Sequence, residues 1–252
     1  MPDDDSIPVQ EAGLPNALPE AVHSTAIDVL KAAAADPALG EDLALGLLKR
    51  TDLPAEVLER LCKNGSVMKS RKVKLAVAEY PKTPRHISLP LLSQLFTFDL
   101  MQVALAPVTP ADVKRAADEV LIRRLEGIPL GERISLARRA SGRIAGALLL
   151  APELRVIAAA LENPRLTEAP VIKALTRTDA PAGLIEAVCL DPRWSCRREV
   201  RVALLRSEKT PLARALEYAR SLPPVLVREV LQTSRLPGSI KASLMRQLQL
   251  DE

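Results

Sequence analysis

The side chains with the most chemical potential in this sequence are clustered cations. Lys69, Arg71, Lys72 and Lys74 stand close together, and Arg197, Arg198 and Arg201 form a matching group further along. Arg71 and Lys74 are three residues apart, as are Arg198 and Arg201, so each pair shares one surface of a helix. Cations at the start of a helix oppose its macrodipole, which weakens a purely stabilising explanation for them. A third group, Arg123, Arg124, Arg133, Arg138, Arg139 and Arg143, lies between the other two in sequence. If the fold places it between them in space, the three groups line one basic stripe that attracts phosphates or acidic peptides. The plainer alternative is a solvated edge, or salt bridges between neighbouring helices.

The other reactive residue types assemble nothing comparable. Cys62 and Cys189 sit at equivalent apolar helix ends and read as core cysteines, because no His or Asp accompanies both as a nucleophile's base would. His23 and His86 are isolated and cannot supply a metal with its usual ligand count. Trp194, beside Arg193 at a loop-to-helix junction, is either a packing wedge or a candidate anchor for a partner. No Gly-rich phosphate loop, HExxH or GxSxG pattern occurs. The expectation is no catalytic residue, no metal and no cofactor.

The elements that must position these cations follow from composition. The chain has 252 residues, 48% hydrophobic but only 2% aromatic, and ten glycines. Small and medium aliphatics in that proportion suit closely packed helices, and so few glycines do not suit a hairpin-rich β protein. The predicted class is all-α. Three cysteines with no CxxC pair, no apolar h-region near the N-terminus and no run of membrane-spanning length imply a reduced, soluble, cytoplasmic protein.

The formal net charge of +4 conceals an asymmetry. Residues 1–60 carry twelve acidic and four basic side chains, whereas the remainder is strongly basic. Residues 1–22, with Asp3-Asp4-Asp5 and prolines at 2, 8, 15 and 19, read as a disordered acidic leader able to fold back on the basic surface. Beyond it, short apolar segments alternate with breaks such as Thr83-Pro84, Thr109-Pro110, Thr210-Pro211, Asp52-Leu53-Pro54 and Asp179-Ala180-Pro181. Each break reads as a Thr or Asp N-cap followed by proline in the first helical turn. Apolar residues between breaks recur at helical spacing, as in Val57, Leu58 and Leu61.

The breaks also repeat at long range. RTDLPAEVLERLC at residues 50–62 returns as RTDAPAGLIEAVC at 177–189. Residues 29–125 align with 156–252 at a constant offset of 127 without a gap, and about a quarter of the aligned residues are identical. Matches such as Pro54/Pro181, Cys62/Cys189, Arg71/Arg198 and Lys82-Thr83-Pro84/Lys209-Thr210-Pro211 indicate an internal duplication. Each half holds about four helix pairs, so the smaller unit is a hairpin of roughly 25 to 30 residues, and stacked hairpins of that size make an α-solenoid. The predicted layout is one domain over 23–252, with a first half at 25–126, a helical insert at 127–150 broken near Ser141-Gly142, and a second half at 151–252.

Segments such as Val202–Pro211 and Ala158–Pro164 resemble the phrasing of HEAT-like and leucine-rich-repeat-variant repeats of bacteria. That resemblance implies a right-handed superhelix of helical pairs and a binding role without catalytic residues. The basic surface then implies, first, an adaptor or scaffold that receives a protein partner bearing an acidic segment. The alternative is sequence-independent nucleic-acid binding through phosphates. A base-excision enzyme built on HEAT-like repeats comes third, because such sites need aromatics around a catalytic acid and this chain has one Trp and two Tyr. The expected contact residues are Lys69, Arg71, Lys72, Lys74, Arg138, Arg139, Arg143, Arg197, Arg198 and Arg201, with Trp194 as candidate anchor.

Overall fold

A computed structural model describes residues 17–248, whose regular elements are all helical: eighteen α-helices, two short 3-10 turns and no strand among the described residues. The acidic stretch of residues 1–16 lies outside the described residues. Residues 17–22, assigned with it to the leader, belong to α1 (Ala17–His23), whose Val22 is buried.

The described chain divides into two compact units. The first runs to Asp99 and includes Ala106–Val113; the second comprises Leu100–Leu105 and everything from Lys114.

In the first unit, α2 (Ile27–Ala35) packs on α4 (Ala55–Lys63), while α1 packs on α3 (Glu41–Leu48) and α3 on α5 (Arg71–Glu79). Val22, Leu47, Leu58, Leu61, Val73 and Val77 meet in the core between them. Next along the chain are α6 (Arg85–Leu92), α7 (Thr97–Leu105) and α8 (Ala111–Arg124).

The second unit repeats this two-row packing. α9 (Leu130–Arg139) packs on α11 (Leu154–Leu161) and α11 on α13 (Ala182–Leu190). In the other row, α10 (Gly142–Leu148) packs on α12 (Glu168–Leu175), α12 on α15 (Arg198–Arg206) and α15 on α17 (Pro224–Thr233). The single-turn α14 (Pro192–Ser195) leads into α15, and α16 (Leu212–Arg220) packs on α18 (Gly238–Leu248). α15 has Val200 and Leu204 buried on one side and Val202 and Leu205 on the other, so it is sandwiched.

Helix starts keep the 127-residue register. Those at 27, 41, 55, 71, 85, 97 and 111 recur at 154, 168, 182, 198, 212, 224 and 238.

The breaks work differently from the sequence expectation. Proline itself is the residue before the first helical one at Pro54, Pro84, Pro181 and Pro211, and none of these starts has a side-chain cap. Its fixed φ and extended ψ turn the chain into the helix, and its missing N–H costs nothing at that place. At these four starts Thr and Asp are not the N-caps. Thr83 and Thr210 are buried and donate backwards, Oγ1 to the carbonyls of Val77 at 2.7 Å and Leu204 at 2.6 Å. They therefore tie off the end of the preceding helix, where carbonyls lack intrahelical partners. Asp52 and Asp179 are instead gripped by the arginine two residues back, Arg50 at 2.8 and 3.0 Å and Arg177 at 2.7 Å twice. Side-chain caps of the expected kind occur at Ser70 and Ser141, whose hydroxyls accept from Val73 N and Ile144 N, and at Asp191.

Two buried asparagines link successive helix pairs. Asn64 donates to the carbonyls of Ala34 and Asp36, and Asn163 to those of Ala137 and Ala140 at 2.7 and 3.1 Å.

Candidate functional site

The predicted cations divide into those consumed by the fold and those left over. Arg71 donates two hydrogen bonds of 2.8 Å to Asp99, a carboxylate only 7% exposed, and its guanidinium lies 4.7 Å from the centre of the Phe96 ring. Lys72 pairs with Glu41 at 2.9 Å, and this bond and that from Ser70 hold the Glu41 carboxyl below its usual range. Arg197 pairs with Glu168, Arg138 with Glu162 and Arg143 with Glu119 at 3.4 Å. Arg201 donates to the Ser195 carbonyl at 2.7 Å. Lys69, Lys74, Arg139 and Arg198 have no ion pair among the described residues. Lys72 and Arg197 thus bridge back to α3 and α12, whereas Arg71 reaches forward to α7.

Trp194 is a correction. It is completely buried, donates its indole N–H to the Leu161 carbonyl at 3.1 Å, and lies 4.6 and 5.1 Å from the guanidinium carbons of Arg193 and Arg197. Arg193 also donates to the carbonyls of Leu161, Asn163 and Leu166. A side chain with no accessible surface anchors no partner. Trp194 instead closes the end of α11.

Cys189 is buried, and burial raises its thiol pKa; for the half-buried Cys62 the same cause, with Glu59 adding to it, pushes the thiol up to about 11. Neither is poised as a thiolate nucleophile. His23 and His86 are exposed, and no group of three or more potential metal ligands exists among the described residues. No described helix is long and apolar enough to cross a membrane.

A concave site does exist, in the second unit. A cleft of about 550 Å³ opens where α8, α10 and α12 meet. Its floor is made of small or apolar residues: Ile122, Gly146, Ala147, Leu150, Ala169, Pro170 and Ala174. Its polar lining is Arg143, Lys173 and Arg177, with no carboxylate. The depth comes from the small residues. Gly146 sits so close to α12 that an added Cβ would stand 2.8 Å from Pro170 Cβ. Pro170 and Ala174 keep the facing side short.

Only Arg143 of these three cations was among the predicted contacts. Lys173 is an isolated cation within an apolar helix, and Arg177 is part of the RTD motif, where it reads as helix-start punctuation. The signal that could have found them is their nearness in sequence: Lys173 is in the last turn of α12 and Arg177 lies just past its end. Nothing in sequence brings Arg143 to them.

Asp118 lies behind Ser141 at the start of α10. It is 5% exposed, accepts from Ser141 Oγ at 2.7 Å, and burial raises its pKa although Ser141 and Arg143 act in the opposite direction.

In comparisons with known proteins, no family model, no curated protein and no solved structure matches the chain. The site is therefore read from its own geometry.

Proposed function

We propose that the chain is a non-enzymatic binding module, an adaptor or scaffold that receives the acidic segment of a protein partner. In this reading it is an α-solenoid of stacked helical hairpins, HEAT-like in kind, that arose by internal duplication. The common 127-residue register of seven helix starts and the two-row packing within each unit support that architecture. The observation that carries the functional reading is the cleft of the second unit, an apolar floor with three cations and no carboxylate in its lining. Such a lining complements a ligand that is anionic at one edge and apolar in its body.

A protein segment fits this better than a nucleic-acid backbone. Phosphate binding needs an array of unspent cations along the path of the strand. Here Arg71, Lys72, Arg138 and Arg197 are paired with carboxylates, as Arg143 and Arg177 of the cleft are with Glu119 and Asp179, so it is the apolar floor that favours a protein segment.

The test is direct titration of the full chain with labelled acidic peptides, and with duplex DNA and RNA at two salt concentrations. The expected result is saturable peptide binding that Lys173→Ala with Arg177→Gln abolishes. Tighter nucleic-acid binding with a steep salt slope, in the absence of peptide binding, would establish the phosphate reading instead.

A further inference from the structure

Arg50 and Arg177 occupy the same place in the two RTD segments, and each grips its own aspartate with Nε and Nη2. They differ in the third donor group. Arg50 Nη1 donates to the carbonyls of Val22 at 3.0 Å and Ser24 at 2.7 Å, at the end of α1, and its side chain is 19% exposed. Offset by 127, the counterparts of those carbonyls belong to Leu149 and Ala151, at the end of α10. Arg177 reaches neither among the described residues, and its side chain is 47% exposed. In the first unit the guanidinium has closed on peptide oxygens. In the second it remains open, and the cleft lies beside it.

The helix faces around the two arginines differ to match. Where the first copy has Asp42, Leu43 and Gly46 on α3, the second has Ala169, Pro170 and Lys173 on α12. An acid has become a small apolar residue, and a glycine has become a cation. In the first unit the arginine is closed by carbonyls of its own chain, whereas around Arg177 the local charge has changed from negative to positive.

Resting on the binding function proposed above, we infer that the second-unit cleft is a receptor for a polypeptide segment that combines carboxylates with one large aliphatic side chain. Arg177 Nη1 takes an oxygen of that segment in the way Arg50 takes those of Val22 and Ser24. Lys173 and Arg143 flank the same acidic edge, and the aliphatic side chain lies on Gly146, Ala147 and Ala169. The cleft volume is that of a small-molecule site, so it accepts one or two side chains with their backbone and not the face of a long helix. Peptide is favoured over phosphate because the closed copy binds peptide oxygens, and because a floor without aromatics offers a base nothing to stack on.

The test uses the full chain and three labelled twelve-residue peptides: acidic with a central Leu, the same peptide with Ala in its place, and the Leu peptide with every Glu changed to Gln. The acidic Leu peptide should bind about tenfold more tightly than the acidic Ala peptide, the usual order for burying one aliphatic side chain. The Gln peptide should bind weakest. Ala169→Leu, at an exposed helix position, should fill the floor and erase the Leu advantage. Arg177→Gln should weaken both acidic peptides alike. Lys173→Ala, also at an exposed position, provides a second loss of charge with no demand on folding. Equal binding of the two acidic peptides would overturn the aliphatic receptor while leaving an acid-binding surface intact. No binding of any peptide would overturn both readings.

Discussion

Trp194 donates its indole N–H to the main-chain oxygen of Leu161 at 3.1 Å, across 33 residues of sequence, with no part of its ring accessible. The largest side chain of the protein is therefore a structural plug between helix pairs. Trp194→Ala should cost about 3–5 kcal/mol of stability through the cavity it leaves. Trp194→Phe should cost only about 1 kcal/mol, because Arg193 also reaches the Leu161 carbonyl and keeps it partnered. Urea unfolding of the two variants checks the ranking. Neither substitution touches the cleft lining, so a Trp194→Phe chain should bind the acidic peptides as the parent does.

The backward bonds of Thr83 and Thr210 predict matching losses at the two positions. Replacing either threonine by valine keeps the shape but removes the donor to Val77 or Leu204. Each carbonyl retains one backbone donor, from Tyr80 N or Ser207 N, so the expected loss is about 0.5–1.5 kcal/mol. Serine at either position keeps the hydroxyl and should recover most of that loss. Were these residues N-caps instead, helix starts at 85 and 212 would fray, which amide exchange would register at those residues and not at the ends of α5 and α15.

Asn163 is completely buried, donates to the carbonyls of Ala137 and Ala140, and accepts from Arg165 N at 2.7 Å. Asn163→Ala should destabilise by about 1–3 kcal/mol, the cost of leaving buried polar groups unmatched. Asn163→Asp should be worse, since it turns a carboxylate towards two carbonyl oxygens. Thermal unfolding of the two variants orders them.

Asp118 predicts a pH dependence of defined sign. Burial raises its pKa in the folded state, so the native protein holds the proton more tightly than the unfolded chain does. Stability from this group therefore falls as pH rises from the ordinary carboxylate range through the raised value, and is flat above it. Glu153 and Asp179, lowered chiefly by hydrogen bonds from Arg133 and Arg177, act oppositely and lose their contribution as pH drops. Asp118→Asn keeps an acceptor for Ser141 and removes the buried charge. The variant should match or exceed the parent in stability at neutral pH, and its advantage should shrink as the pH is lowered. An advantage that grows on acidification would show that Asp118 is stabilised as the anion.

The all-helical class was legible because the evidence for it is local. Aliphatic spacing, scarce glycine and proline at regular breaks act over a few residues, and the helices begin where the prolines place them. The roles of the break residues were less legible. Thr-Pro is compatible with an N-cap, but a proline can itself occupy that position, which frees the threonine hydroxyl for the helix behind it. The choice depends on where the previous helix ends in space.

The sequence by itself determined the helices, the 127-residue register of their starts and the excess of basic charge, because each depends on residues near in sequence or on simple counts. Tertiary structure alone decided which cations are paired within the fold. Arg71 met Asp99 and Arg197 met Glu168 because packing brought helices some 30 residues apart into contact. Arg143 came to face Lys173 and Arg177 for the same reason, over small residues whose lack of bulk leaves the space open. Arg50 and Arg177 stand in the same motif, yet one is closed by carbonyls of its own chain and the other is not. That difference lies in helix placement, which no single segment encodes.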